Sequence, residues 1–209
     1  MNEKELIQKA KKGDVEAQVA LGALYREGTE VKQDQKESLK WYEKAAKQGN
    51  AEAQFRVGRV QKTYTECAKW YHKAADQGHV PAMTWLRKLY YEGLGVSKDL
   101  VKAAAWSLKA AELGDTVSMD WIAWFYLYGT GVQKSNQNAI HWYKKALENE
   151  NSSAMTKASA KCKLAFFIYK GEEGFKQDKA LAKEYWQIAS IDGNDGYKRE
   201  AKEALTTLF

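Results

Sequence analysis

Apolar side chains recur along this chain at the three- and four-residue spacing of amphipathic helices. In residues 16–27, Ala17, Leu21 and Tyr25 follow one another at i, i+4 spacing and therefore share one stripe of a helix. Residues 36–48 repeat the pattern with aromatic and alanine side chains on one face. Strand-like alternation is lacking, and the 209 residues include one proline. The pattern predicts an all-α chain.

Glycine and aspartate mark the ends of these predicted helices. A Gly-Leu-Gly-Val loop at residues 93–96 follows a first helix, and glycine at such a position favours a left-handed cap. Asp34 and Asp178 each precede a second helix, where an aspartate side chain caps the free backbone N–H groups. Gly22 lies inside a helix at a cost of about 1 kcal/mol relative to alanine. We therefore expect another helix to approach closely at Gly22.

The same pair of helices returns along the chain at intervals of the order of 20 to 50 residues, which is typical of stacked repeats. The Trp41-Tyr42 pair of the first unit has counterparts in later units, and a glycine closes most of them. The predicted repeats are 13–49, 50–78, 79–114, 115–150 and 151–193, with half-repeat caps at 1–12 and 194–209. Each repeat buries its apolar face only against its neighbours, so we predict one continuous domain over residues 1–209.

Two of the predicted units differ in length from the others. The unit at 50–78 lacks the glycine loop, which predicts a tight turn near residues 62–65 and a shortened first helix. The unit at 151–193 is longer, which predicts a first helix with about two extra turns of 3.6 residues each.

The repeat resembles the Sel-one-like repeat, a helical-hairpin relative of the tetratricopeptide repeat. The positions of the first unit that match its pattern are Ala17, Leu21, Gly22, Tyr25, Gly28, Val31, Asp34, Trp41, Tyr42, Lys44, Ala45, Ala46 and Gly49. The resemblance extends over almost the whole chain. It implies a right-handed α-solenoid of about five helix-turn-helix repeats with half-repeat caps. It also implies adaptor or scaffold work, often in bacterial signalling, envelope stress or host interaction, and sometimes neutralisation of a toxic effector.

Composition and net charge restrict the possible classes of partner only slightly. Charged residues make up 29% of the chain and the net charge is +6, a balance that attracts nucleic acid, anionic lipid or an acidic protein. The lysines are spread among acids along the helices, so we expect solvated surfaces and no nucleic-acid partner. No window approaches 18 apolar residues, and we expect no membrane span.

The start of the chain and its cysteines bear on the compartment. The first residues are charged and lack an apolar signal region, which favours a cytoplasmic location, although a trimmed secreted chain is the alternative. Cys67 and Cys162 lie several repeats apart, too far for a disulfide, so we expect two free thiols and a reducing compartment. The oligomeric state is left open.

No catalytic constellation emerges from the sequence. It contains no P-loop, no nucleophile elbow and no metal-binding motif, and His72, His79 and His141 are scattered. The Gly-x-Gly loops follow helix ends, where the helix dipole repels anions, so they are not phosphate loops. We predict no enzymatic activity, no cofactor and no metal.

The resemblance implies that the exposed side of the first helices lines a concave surface. Register places aromatic residues in the middle of that surface and basic residues on one flank, and interface hot spots are rich in Trp, Tyr and Arg. The predicted binding residues are Phe55, Arg56, Arg59, Trp85, Lys88, Tyr91, Trp121, Trp124, Leu127 and Phe167. The alternative for each ring is packing against the next helix.

These observations predict a non-enzymatic scaffold or adaptor that binds a peptide or protein partner on its concave face. Trp85, Trp121 and Trp124 are predicted to form one continuous aromatic patch. The residues predicted to steer acidic groups toward it are Arg56, Arg59 and Lys88. Two alternatives stay open: binding of a glycan or peptidoglycan fragment by the aromatic groove, and immunity-type neutralisation of an effector.

Overall fold

The computed structural model describes residues 3–29 and 31–209. Over these residues the chain forms twelve α-helices and no strand, which confirms the all-α prediction. The helices are α1 (Glu3–Lys11), α2 (Val15–Glu27), α3 (Gln35–Lys47), α4 (Ala51–Arg59), α5 (Tyr64–Ala75), α6 (Val80–Glu92), α7 (Leu100–Glu112), α8 (Thr116–Tyr128), α9 (Asn136–Glu148), α10 (Ala154–Lys170), α11 (Lys179–Asp192) and α12 (Asp195–Leu208).

The chain divides into two compact units, which are described separately. The first unit ends at Asp99 and contains α1 to α6; the second starts at Leu100 and contains α7 to α12. The boundary falls between the two helices of the predicted repeat 79–114. A single domain over residues 1–209 stays a prediction.

In the first unit each helix packs on the next along the chain, so the helices form a stack of hairpins. Its core is built from small and aromatic side chains that the repeat pattern places at the same slots. Trp41 packs with α1 and α2 through Ala10 and Leu21, as expected for a residue between repeats, and Tyr42 packs with Val57 of α4.

The second unit follows the same plan from α7 to α12, and α10 also contacts α8 and α12. Trp186, Tyr143 and Phe125 are its largest fully buried side chains. Because α8, α10 and α12 meet, their side chains form a shared polar and aromatic region, which is described below.

The helix ends follow the sequence signals. Asp34 caps α3 by accepting hydrogen bonds from the backbone N–H groups of Lys36 and Glu37, and Asp178 caps α11 in the same way. Gly28, Gly93, Gly129 and Gly171 end first helices in the left-handed conformation, with φ between 67° and 76°. The predicted caps are therefore confirmed.

Gly22 lies where a second helix approaches closely, as predicted. A Cβ atom at this position would lie 3.1 Å from the ring of Tyr42, and the Ser38 hydroxyl donates a 2.7 Å hydrogen bond to the Gly22 carbonyl. Gly58 is tighter still, because its added Cβ would lie 2.8 Å from the Tyr71 ring. In these two hairpins the glycine therefore lets the second helix pack against the backbone of the first.

On four of the second helices, a lysine three residues after the tryptophan covers the indole ring. The Nζ atoms of Lys44, Lys73, Lys109 and Lys145 lie 4.0, 4.5, 4.4 and 4.8 Å from the ring centroids of Trp41, Trp70, Trp106 and Trp142. Such cation–π contacts contribute about 0.5–1 kcal/mol at exposed sites. They also explain why lysine and tryptophan share this spacing.

The units of unusual length fold as predicted in one case and differently in the other. Helix α4 has 9 residues and a short turn joins it to α5, whose cap is Thr63, so the tight turn is confirmed. Helix α10 has 17 residues against 13 in α8, which is about one extra turn and not two. The remaining extra residues extend the connection before Ser153, the cap of α10, since Ser152 bonds back to the end of α9.

Candidate binding surfaces

A basic pocket lies between α2, α3 and α4 of the first unit. It encloses about 200 Å³, and the residues that line it are Arg26, Gln35, Ser38, Leu39, Tyr42, Arg56, Arg59 and Val60. Three arginines thus line one cavity, and none of the described residues that line it is acidic. The first helices α2 and α4 supply all three arginines, because their solvent-side slots hold arginine in both repeats.

Two of these arginines are held by neighbouring carboxylates. Arg26 Nη2 lies 2.5 Å from Glu27 Oε1, and Arg56 Nε lies 2.5 Å from Glu52 Oε1. Each guanidinium carries five N–H donors in a planar fork, so these bonds leave further donors on both side chains. The carboxylates therefore fix the arginines without exhausting them.

Glu52 is itself anchored from the next repeat. Its Oε2 atom accepts a 2.9 Å hydrogen bond from Nε2 of His79, while Nδ1 of His79 accepts from the backbone N–H of Ala82 as the cap of α6. The hydrogen bond from His79, with that from Arg56, lowers the pKa of Glu52 to about 2. Glu52 is thus ionised at neutral pH and keeps Arg56 in place.

Arg59 differs from the other two arginines. It is exposed at the end of α4, and within the described residues 3–29 and 31–209 it takes part in no ion pair. Its guanidinium is therefore the positive charge of the pocket that the described side chains leave uncompensated.

An aromatic pocket adjoins the basic pocket and shares Arg59 with it. It encloses about 390 Å³ between α4, α5 and α6, and its lining residues are Arg59, Gln61, Lys62, Thr63, Tyr64, Cys67, Tyr71 and Trp85. The Trp85 ring is half-buried, with its centroid 5.9 Å from that of Tyr71. The shortened loop before α5 leaves this space, since the glycine loop of a regular repeat is missing here.

The other predicted residues of the first unit lie around these pockets. Lys88 reaches back over the Trp85 ring at 5.4 Å, and Tyr91 is half-buried beneath Lys98. Phe55 does not lie on an open surface: it is 6% exposed and its ring packs on His79 at 4.8 Å. Its expected exposure is corrected, because the cap of α6 folds over it.

In the second unit, Trp121 and Trp124 share one face of α8, as their three-residue spacing predicts. Their centroids are 6.0 Å apart, and Trp124 also lies 5.1 Å from the ring of Tyr128, which is exposed. Both indoles are half-buried, and Phe125 is fully buried behind them. Because Trp85 belongs to the first unit, its continuity with this cluster stays a prediction.

Leu127 and Phe167, the remaining predicted residues, differ in exposure. Leu127 is half-buried on α8. Phe167 is 8% exposed, so its predicted place on an open face is corrected. It shares its slot with Ala23 and Trp124, and the slot alone does not decide burial, because the longer α10 packs against four helices.

The second unit also contains a buried charged cluster that the sequence analysis missed. Lys163 on α10 is 6% exposed; its Nζ atom lies 2.7 Å from both carboxylate oxygens of Glu200 on α12 and 3.0 Å from the Tyr128 hydroxyl on α8. Hydrogen bonds to Glu200 and Tyr128 raise the pKa of Lys163 although burial opposes the rise. Its charge is therefore retained inside the unit.

Asp120 on α8 faces the same cluster. Burial raises its pKa from the ordinary value of 3.8 to about 6, although Ser159, Lys163 and Tyr197 all oppose the rise. Its Oδ1 atom is buried and makes no hydrogen bond among the described residues. The ionised carboxylate of Asp120 is therefore less stable in the folded protein than in water.

The register of the repeats carries one signal of this cluster. Asp120 and Lys163 occupy the same slot of successive repeats, where Val19, Phe55 and Thr84 stand in the first unit. Opposite charges at one slot of neighbouring first helices indicate a lateral contact. That signal becomes visible only after the extra residues of α10 have been placed.

The described residues hold no assembly of catalytic groups. Among residues 3–29 and 31–209, no group of three His, Cys, Asp or Glu side chains is arranged to hold a metal ion. Cys67 and Cys162 are buried and unpaired, as predicted, and burial raises the pKa of the Cys162 thiol to about 12. No helix in the described part of the chain is long and apolar enough to span a membrane.

The stacked hairpins, glycine-capped first helices and tryptophan-bearing second helices define an α-helical repeat protein. The Sel1 repeat pattern matches the chain five times, at residues 15–50, 51–79, 81–115, 116–151 and 158–194. These matches cover most of the sequence, and the chain belongs to the Sel1 repeat family.

Solved structures support the same assignment. A Sel1 repeat protein from Oxalobacter formigenes is 30% identical with a TM-score of 0.79, over 94% of this chain and 81% of that chain. A protective antigen of uropathogenic Escherichia coli with an SLR fold is 29% identical with a TM-score of 0.78, over 96% of this chain. This chain spans only 43% of that antigen's length. No curated protein matches the chain.

Proposed function

We propose that this chain is a non-enzymatic scaffold that binds a protein partner on the surface formed by its first helices. Sel1 repeat proteins are generally non-enzymatic, and their fold commonly serves as a protein-interaction scaffold. The proposal for this chain adds the place of binding, which is the first-helix surface of the first unit.

The observation that carries the proposal is the pair of adjoining pockets that share Arg59. One is lined by arginines and the other by tyrosine and tryptophan, the residue types that dominate interface hot spots. Both are larger than a single water requires, and neither contains a set of groups suited to catalysis. A partner segment that enters both pockets would bury Trp85 and pair with arginine in one contact.

Crosslinking from within the surface tests the proposal. Val60 lines the basic pocket and is 56% exposed, so a photo-crosslinking amino acid at this position would react with a bound partner. Val101 on α7, which is 65% exposed and is not among the residues that line either pocket, provides a matched control. We expect a discrete protein adduct from position 60, none of the same mass from position 101, and loss of the adduct in Trp85→Ala.

The opposite results are equally clear. Identical adducts from both positions, or no protein adduct from position 60 in extracts of the native cell, would contradict the proposal. An adduct that is lost on glycosidase treatment but resists protease would favour glycan binding instead.

A further inference from the structure

We propose that the basic pocket of the first unit takes the side-chain carboxylate of an Asp or Glu in the partner, while the adjoining aromatic pocket takes a neighbouring apolar side chain. This inference rests on the proposed function and names the chemistry of the partner segment. Arg59, which lines both pockets, lies between the two side chains of that segment.

The charges around the pocket favour a monoanion. Arg26, Arg56 and Arg59 bring three positive charges, and Glu27 and Glu52 pair with the first two, which leaves one positive charge among the described side chains of this pocket. A single carboxylate neutralises that charge, whereas a phosphate monoester carries about −1.5 to −2 at neutral pH. The planar guanidinium fork also matches the two oxygens of a carboxylate.

The remaining lining fits the stem of an acidic side chain. Leu39 and Val60 supply apolar surface, and Gln35 and the Tyr42 ring complete the wall. The volume of about 200 Å³ suits one side chain. A lipid headgroup or a nucleic-acid backbone would instead call for an extended basic surface.

The aromatic pocket supplies the second half of the recognition. Tyr64, Tyr71 and Trp85 give it three rings, and burial raises the pKa of Tyr71 to about 12, so this hydroxyl stays neutral. An apolar side chain next to the acidic residue therefore meets three neutral rings, in a pocket that Arg59 and Lys62 also line. The expected motif is an acidic residue close to a large apolar one.

The experiment selects peptides from a random phage-displayed library on the full chain, then measures the binding of labelled selected peptides by fluorescence anisotropy. We expect enrichment of Asp or Glu close to Leu, Met, Phe or Trp. Arg59→Gln should weaken these peptides about tenfold, the scale of one lost charge-assisted pair. Arg59→Lys keeps the charge but loses the planar fork of donors. Its peptide affinity should lie between those of the unmodified protein and Arg59→Gln.

Arg199→Gln is the matched control, because it removes an exposed arginine of α12 and changes the net charge equally. We expect it to leave peptide affinity unchanged. Equal losses of peptide affinity in Arg59→Gln and Arg199→Gln would show that the overall net charge causes the loss, and would overturn the inference.

The remaining outcomes separate this inference from the proposed function. Selected peptides that require Trp85 but carry no acidic residue would overturn the carboxylate and leave protein binding intact. Displacement of the acidic peptide by inorganic phosphate or phosphatidylglycerol vesicles at lower concentration than by free acidic peptide would also overturn it. Failure to select any peptide, together with no adduct from position 60, would overturn both.

Discussion

The two units place their charged residues differently on the same helical plan. In the first unit three arginines of the first helices face an open pocket, and Arg59 has no ion pair among the described residues. In the second unit Lys163 is buried and paired within the fold to Glu200, with Asp120 enclosed beside them. Equivalent repeat surfaces therefore carry exposed charge in one case and buried, paired charge in the other.

The difference teaches that charge at a groove slot does not by itself indicate binding. A charge that is paired inside the fold is less available to a ligand. Its removal lowers the free energy of unfolding. An exposed charge without a partner contributes little to stability and remains available. The following predictions separate these two roles.

The largest effect is expected from Lys163→Met, which keeps the apolar stem and removes the charge. It leaves Glu200 and Asp120 without their cation, and breaking a buried pair costs about 3 kcal/mol or more. Glu200 is partly exposed, which favours the lower end of this range. Urea unfolding measures the loss in the free energy of unfolding.

The control for that prediction is Lys170→Met, whose exposed side chain lies 3.9 Å from Glu172. It should change stability by less than about 0.5 kcal/mol. A partial recovery in the double variant Lys163→Met/Glu200→Gln would confirm the coupling. A stability of Lys163→Met equal to that of the control would contradict the structural role of the cluster.

Asp120→Asn is expected to stabilise the protein at pH 7. The folded-state pKa of about 6 lies above the ordinary value of 3.8, so the folded protein binds this proton more tightly than the unfolded chain. The contribution of Asp120 to stability therefore falls as pH rises through this window, and the cost above it is about 2 to 3 kcal/mol. Amide hydrogen bonding to Ser159 or Tyr197 would keep the site filled.

The pH dependence provides its own check. The stability difference between Asp120→Asn and the unmodified protein should be greatest at pH 7 and should shrink as pH approaches 4. Lys163, Glu200, Tyr197 and Tyr143 surround the site in both proteins, so the two proteins differ only in the carboxyl group of Asp120. A constant difference across this range would show that Asp120 does not titrate there.

Gly22→Leu tests the close helix packing inside the first unit. The added side chain meets the Tyr42 ring, since even a Cβ would lie 3.1 Å away, and overpacking of this kind costs about 1–3 kcal/mol. Thermal unfolding of Gly22→Leu is compared with that of Ala20→Leu, an exposed position of the same helix. Equal melting temperatures would show that α3 can move away from α2 at no cost.

Substitution of the half-buried tryptophans compares the two surfaces in binding. Trp85→Ala should weaken the binding of the crosslinked partner about tenfold, or about 1.4 kcal/mol, because Trp85 lines the aromatic pocket beside Arg59. Trp121→Ala and Trp124→Ala in the second unit should have smaller effects, measured by the same titration. A larger loss from Trp124→Ala would move the main contact to the second unit.

The smallest effect on stability is expected from Arg59→Gln. Its side chain is exposed and unpaired within the described residues, so the free energy of unfolding should change by less than about 0.5 kcal/mol. Chemical unfolding of this variant beside Lys163→Met gives the contrast directly. A loss as large as that of Lys163→Met would show that Arg59 is part of the packing.

Much of the fold was predictable from local features of the sequence. Asp34 and Gly28 mark helix ends because capping depends on a few adjacent backbone groups. Gly22 predicted the close approach of a second helix, because glycine destabilises a helix interior and its advantage there is the space that its missing side chain leaves. The length of α10 was overestimated, since extra residues were assigned to the helix although part of them form the connection before it.

The binding surface was predicted less completely. The positions of Arg56, Arg59 and Trp85 on first helices follow from register. That these residues line two adjoining pockets depends on the absence of the glycine loop between α4 and α5. Phe55 and Trp85 are both aromatic residues at groove slots, and one is buried while the other is half-buried. His79 makes that difference, because it caps α6 and packs over Phe55.

The sequence by itself determined the helices, their ends and the order in which hairpins follow one another, because spacing, capping and glycine act over a few residues. Only the tertiary structure decided which charges are buried. Asp120 and Lys163 are far apart in sequence, and they share one enclosure because α8 and α10 pack side by side. Burial and pairing depend on such contacts between distant residues, and the same lysine on an unpacked helix would simply be solvated.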